Sequence, residues 1–201
     1  MKGALGFCFL MVVVASAGCV SQTAPSPAWS NWAEREGGVA QGPECARAST
    51  ALARLGDPGW ITKLRFLHVR VLNTNCPCAY AWPDGSLFVT KGLLLLLDDD
   101  ELTGALAHEI GHLAEDSPRF KSAAFSGSGG TKCEVYADAA GCELLKSAGL
   151  APDFLARALI KVRNDPRTPA SLRVALSQRI QIIQGGEAFP EQTVWHAPRI
   201  R

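Results

Sequence analysis

The chain is expected to adopt an α+β fold, mainly helical, with a small antiparallel sheet beside one long helix. Three observations lead there. Apolar residues recur at three- and four-residue spacing in several stretches between positions 44 and 183, alternation is confined to the region 64–90, and Pro83-Asp84-Gly85-Ser86 there separates two short β-type runs. A length of 201 residues with 47% hydrophobic content suits one domain with a moderate core. The formal net charge of +1 supplies no basic field, so no nucleic-acid partner is expected.

Met1-Lys2 followed by the apolar run 4–15 has the build of a secretory signal, too short for an ordinary membrane span, and residues 1–18 are assigned to it. The next residues, Ser16-Ala17-Gly18-Cys19, resemble a bacterial lipobox, with serine where leucine is more usual. That resemblance implies lipidation of Cys19 and a membrane partner engaged through the N-terminal lipid. Val20 is not the acidic residue associated by resemblance with inner-membrane retention, so the expected place is the periplasmic side of the outer membrane, with a free periplasmic or secreted protein as the alternative if Cys19 carries no lipid. Residues 19–43 are expected to be a lipid-anchored tether, because Ser21-Gln22-Thr23-Ala24-Pro25-Ser26-Pro27 has the composition of mobile chain. Beyond the anchor stand Cys45, Cys76, Cys78, Cys133 and Cys142, enough for two disulfides in an oxidising compartment, with the pairing open. Cys76-Pro77-Cys78 reads as structural, since only one residue separates the thiols.

The domain proper is expected over 44–184. Positions 44–55 form an amphipathic helix that Gly56-Asp57-Pro58-Gly59 ends, and 64–72 alternate as a strand with His68 on its surface. Two strands, 79–82 and 87–90, flank the hairpin turn. The apolar run 92–97 is a short helix broken at Asp98. A longer helix follows, with Leu102, Leu106, Ile110 and Leu113 at helical spacing and Asp98 with Glu101 as a capping box. Residues 117–131 are a loop near a cleft, most flexible at Ser126-Gly127-Ser128-Gly129-Gly130. Helices are expected over 133–148, 152–162 and 170–183, and an irregular tail over 185–201.

The long helix carries His108-Glu109-Ile110-Gly111-His112. An HExxH sequence on a helix puts two imidazoles on one face, one turn apart, with a carboxylate beside the first, the arrangement of a zinc-binding pair and a general base. Only four histidines occur in the chain, which makes a chance match less plausible. Zinc, the expected cofactor, needs one more protein ligand. Glu134 suits this at the start of the next helix, and Asp138, four residues on, lies on the same face and can orient a histidine. The same two acids would also fit the exposed face of an ordinary helix.

Thr90-Lys91-Gly92-Leu93-Leu94, the helix through His112, and Glu134-Val135-Tyr136-Ala137-Asp138 followed by Ala148-Gly149-Leu150 resemble the successive signatures of the CAAX prenyl protease-type gluzincins, and in particular the HtpX-like group with its small periplasmic lipoproteins. The resemblance implies a zincin-like metallopeptidase domain in which His108, His112 and Glu134 bind zinc and Glu109 activates water. Pro83-Asp84-Gly85 and Phe88-Val89 are similar to the family's hairpin, where an extended strand lies beside the cleft. Members often carry His-Pro with an arginine four residues after the proline. Here Thr168-Pro169 and Arg173 keep the proline and the arginine but replace the histidine, and Arg173 is expected to support an acid such as Asp138, the alternative being a place on a helix surface.

The expected function is a zinc-dependent endopeptidase that hydrolyses peptide bonds in unfolded or misassembled cell-envelope proteins. The alternative is a chaperone-like outer-membrane assembly or binding factor with little proteolysis. Zinc-dependent client binding without cleavage would separate the two.

Overall fold

The computed structural model describes residues 27–56, 67–82, 84–114 and 129–185. The expected signal segment with Cys19, the loop 117–128, the hairpin's Pro83 and the tail from 186 onward lie outside the described residues. Among the described residues the elements run in the order α1 (Pro27–Arg35), α2 (Pro43–Ala53), β1 (His68–Leu72), β2 (Ala79–Ala81), β3 (Ser86–Thr90), α3 (Lys91–Leu96), α4 (Asp99–Ala114), α5 (Gly129–Ser147), α6 (Asp153–Asn164) and α7 (Ala170–Gly185). The fold is mainly helical with one small three-stranded sheet. Among the described residues no helix is long and apolar enough to cross a membrane.

The hairpin forms where the turn chemistry puts it, with β2 antiparallel to β3 and Ala79 opposite Val89. Asp84 accepts the Ser86 backbone N–H at 2.9 Å, and Gly85 takes a positive φ of 88° that a side chain would oppose. β1 joins the other edge of β3 in parallel, Val71 opposite Val89, so the strand order is β1-β3-β2. The central β3 is buried along its whole length. Leu87 and Val89 face the helices and Phe88 faces the opposite way, the period of two that a pleated strand imposes.

That opposite face corrects the expected tether. Residues 27–35 form a helix, and its Trp29 and Trp32 pack on Phe88 with ring centroids 5.5 and 5.1 Å away. Trp32 also meets Tyr80 at 5.0 Å and Trp82 at 5.5 Å, while the Arg70 guanidinium lies 4.5 Å from the Trp29 ring. Two tryptophans three residues apart share one helix face, and the outer side of β3 needs a cover. The chain then runs along β1, where the Ala40 N–H donates to the Val71 carbonyl at 2.7 Å. Among the described residues, folded structure therefore already includes Pro27–Arg35, ahead of the boundary expected at 44.

The main core lies on the other side of the sheet. Leu102, Leu106 and Ile110 of α4 have no exposed surface and pack with Leu144, Leu145 and Leu155. Burying each such side chain stabilises by about 1.5–3 kcal/mol. The expected capping box is complete: the Glu101 N–H donates to Asp98 at 2.9 Å and the Asp98 N–H to Glu101 at 2.8 Å. One hydroxyl settles the junction of β3 with α3. Thr90 Oγ1 accepts the N–H groups of Leu93 and Cys78 at 3.1 and 3.0 Å and donates to the Cys76 carbonyl.

Cys45 and Cys142 carry free thiols, which rules out two disulfides among the five cysteines. Both belong to the main core, where Cys142 is buried and Cys45 donates to the Ala40 carbonyl at 3.3 Å, so they act as small packing residues.

Candidate metal centre

α4 and α5 cross with their backbones in contact because each has a glycine at the crossing. A Cβ on Gly111 would lie 2.4 Å from the Ala137 carbonyl oxygen, and one on Gly141 would lie 3.0 Å from the His108 nitrogen. This close approach brings the 108/112 face of α4 onto the 134/138 face of α5. Each helix contributes two side chains spaced by one turn.

The result is a compact donor set. His108 Nε2 and His112 Nε2 are 3.1 Å apart, Glu134 Oε2 is 3.3 Å from His108 Nε2, and Glu134 Oε1 is 3.5 Å from His112 Nε2. Zinc bonds of about 2.0–2.2 Å in a tetrahedron put neighbouring ligand atoms about 3.3–3.5 Å apart. The two imidazole nitrogens and the Glu134 carboxylate therefore stand close to the spacing of ligands on one zinc, and His108, His112 and Glu134 form a zinc-binding cluster. They leave a fourth position for water or substrate, the arrangement of a catalytic rather than a structural site.

Asp138 is placed as its spacing predicts. Its Oδ1 lies 2.8 Å from His108 Nδ1, which keeps a proton on Nδ1 and aims Nε2 at His112 and Glu134. Burial disfavours the charge on Asp138, but Arg179 and the hydrogen bonds from Arg179 and His108 outweigh it and hold the carboxyl well below its usual range. Burial likewise opposes ionisation of Glu134, yet the His108 hydrogen bond and the surrounding positive charge bring it down to about 2. For His112, burial followed by the His108 and Arg179 charges lowers the pKa to about 3, leaving a neutral imidazole fit to ligate. Its buried Nδ1 has no hydrogen-bond partner among the described residues, so packing alone orients that ring.

Glu109 is 3% exposed and sits beside His108 in the wall of a pocket. Burial raises its pKa to about 7, with the Glu134 charge adding to the shift and His108 and Arg179 offsetting part of it.

The expected support from Arg173 is corrected by the structure. Arg173 donates to the Thr168 and Asp165 carbonyls at 2.9 and 3.0 Å and so ties down the loop between α6 and α7. The cation on Asp138 is Arg179, one turn before the end of the apolar stripe of α7. Its Nε and one terminal nitrogen reach the two Asp138 oxygens at 2.7 Å each, and its other terminal nitrogen reaches Glu134 Oε2 at 2.7 Å. Arg179 is only 2% exposed. The signal was present in the sequence: Leu172, Leu176, Arg179, Ile180 and Ile183 share the inward face of α7, whereas Arg173 falls off it. An arginine within an apolar stripe needs a buried acid to face. Thr168, in the place of the histidine expected by resemblance, is buried and donates to the Val162 carbonyl at 2.5 Å, closing the end of α6.

Residues 61–126 match the model of Peptidase family M48. The matched span contains β1 through α4, with both histidines and Glu109, and stops before Glu134, Asp138 and Arg179. The comparison with curated proteins finds no match. Since the residues outside the matched span complete, in space, the donor set begun inside it, the chain carries a zinc metallopeptidase domain similar over residues 61–126 to Peptidase family M48 and is a zinc metalloendopeptidase.

Proposed function

We propose that Glu109 is the general base of this enzyme and that its substrates are unfolded or misassembled proteins of the bacterial cell envelope. The observation that carries the catalytic part is a buried carboxyl beside the His108, His112 and Glu134 cluster, with a pKa near 7, where a group both accepts and returns a proton readily. His108, His112 and Glu134 would hold the zinc, whose chemistry when bound is to acidify water and polarise the scissile carbonyl. Glu109 takes the proton from the attacking water as the new C–O bond forms. It then delivers that proton to the amide nitrogen as the C–N bond breaks, so one peptide bond and one water give a carboxylic acid and an amine. Asp138 and Arg179 keep His108 aimed throughout, through contacts that no substrate needs to make.

The test is hydrolysis of unfolded casein by the zinc-loaded protein beside its Glu109→Gln variant, with zinc measured in both. Loss of turnover by about 10²-fold or more with zinc retained is the expected result. A variant that still cleaves would remove Glu109 from the mechanism.

The envelope assignment rests on the sequence at the N-terminus. A signal-like segment ending at Cys19 would place the domain on a short anchored leader at the periplasmic side of the outer membrane. Incorporation of labelled fatty acid into the wild-type protein and its loss in Cys19→Ala is the expected outcome. Equal labelling of the two would overturn the anchor.

A further inference from the structure

An endopeptidase cuts within a chain, so its cleft must let a polypeptide pass across the reacting groups. The wall that contains Glu109 is also built from two segments far apart in sequence, residues 76–78 ahead of β2 and residues 167–169 between α6 and α7. Arg167 spans them. Its Nη1 donates to the Asn75 carbonyl, 92 positions earlier in the chain.

Both ends of this link are braced. On the helix side Asp165, with a side chain only 4% exposed, accepts the Arg167 Nε and Nη2 groups at 2.8 and 2.6 Å and the Arg167 backbone N–H at 2.8 Å. On the sheet side the Gly92 N–H donates to the Thr74 carbonyl at 3.0 Å, and a Cβ on Gly92 would collide with the Asn75 carbonyl. The Arg167 side chain is nevertheless 46% exposed, and Asn75 is exposed as well. Letting go of the Asn75 carbonyl therefore exchanges one hydrogen bond for contacts with water, while the bonds to Asp165 survive. A link anchored at one end and exposed at the other suits opening and closing better than holding the fold together.

We propose that Arg167 is a strap across the cleft: bonded to Asn75 it closes the path over Glu109, and substrate enters when the guanidinium releases that carbonyl. The proposal rests on the peptidase reading above for what passes through the cleft, but not for the link between the two segments. Closure lowers the fraction of molecules open to substrate, which raises the apparent KM and leaves the bond-making step untouched.

The experiment compares the full, zinc-loaded chain with Arg167→Lys and Arg167→Ala, by hydrogen exchange of backbone amides and by hydrolysis of unfolded casein over a range of concentrations. Lysine keeps a cation on Asp165 and lacks the fork that reaches both acceptors at once, so it separates the strap from the support of Asp165. Amides within 74–78 are expected to exchange about threefold faster or more in both variants, although none of those residues is changed. KM should fall by about the same factor with kcat nearly constant. An arginine that only holds Asp165 in place would alter exchange in the 165–169 loop alone. Unchanged exchange at 74–78 in Arg167→Lys, or a KM that stays the same or rises in it, overturns the strap and leaves the peptidase reading standing. Faster exchange at 74–78 with no cleavage by any form, wild type included, would support the strap and count against the proposed catalysis.

Discussion

The two ends of α4 are both held by ionic contacts, yet the contacts differ in kind. At the N-terminal end, Asp99 meets Arg47 at 2.7 Å and Asp100 meets Arg54 at 2.6 Å and Arg157 at 3.3 Å, all with side chains substantially in water. At the other end Arg179, Asp138, Glu134 and His108 form a network largely enclosed by α4, α5 and α7. Exposed pairs are screened and contribute about 0–1 kcal/mol each, whereas removing one member of a buried pair leaves an uncompensated charge. The distances alone do not distinguish the two ends. Burial does, and it assigns the first set to helix anchoring and the second to aiming a ligand.

Breaking the buried end should have the largest effect. Arg179→Leu takes the guanidinium away from Asp138 and Glu134 and leaves two buried carboxylates to share His108, and chemical denaturation of the metal-free protein is expected to show a loss of about 3–5 kcal/mol. A loss below about 1 kcal/mol would mean that the network is solvated, and the contrast between the ends would disappear.

Asp138→Asn tests aim rather than stability. Zinc affinity measured by competition with a chromogenic chelator is expected to fall about 10–100-fold, because Nδ1 of His108 loses its charged acceptor. Unchanged affinity would show that packing alone positions the ring, as it does for His112. Gly111→Val sharpens the same point through the backbone. Its side chain would collide with the Ala137 carbonyl, separating the two halves of the donor set, and zinc binding should weaken even though every ligand remains.

At the exposed end the expected effects are smaller. Asp98→Ala removes half of the capping box and should cost about 1 kcal/mol in thermal or chemical unfolding. Asp99→Asn loses only the pair with Arg47 and should change stability by less than about 1 kcal/mol, with the difference fading as salt is raised. A salt-insensitive loss of several kcal/mol for Asp99→Asn would place that end in the same class as the buried one.

The parts of this architecture that were legible in the sequence are those governed by neighbours along the chain. The HExxH face, the Asp98–Glu101 cap, the break between α3 and α4 and the Asp84-Gly85 turn each depend on residues within a few positions of one another. Glu134 and Asp138 were within reach because a four-residue spacing already implies a shared helix face. The N-terminal helix was missed because its low-complexity leader suggested tether, while the reason for its order, the outer face of β3, lies about fifty positions further on. The parallel pairing of β1 with β3 was equally out of reach, since no turn joins the two strands directly and alternation carries no direction.

By itself, the sequence determined that a capped helix presents two imidazoles and a carboxyl in the order a zinc peptidase requires, because helical geometry converts spacing into direction without help from the rest of the chain. Only the tertiary structure decided which cation meets Asp138, which side chain spans the cleft and how far Glu109 is removed from water. Those outcomes depend on how α4, α5, α6 and α7 cross, and crossing is set by side-chain packing and close backbone approach between segments distant in sequence.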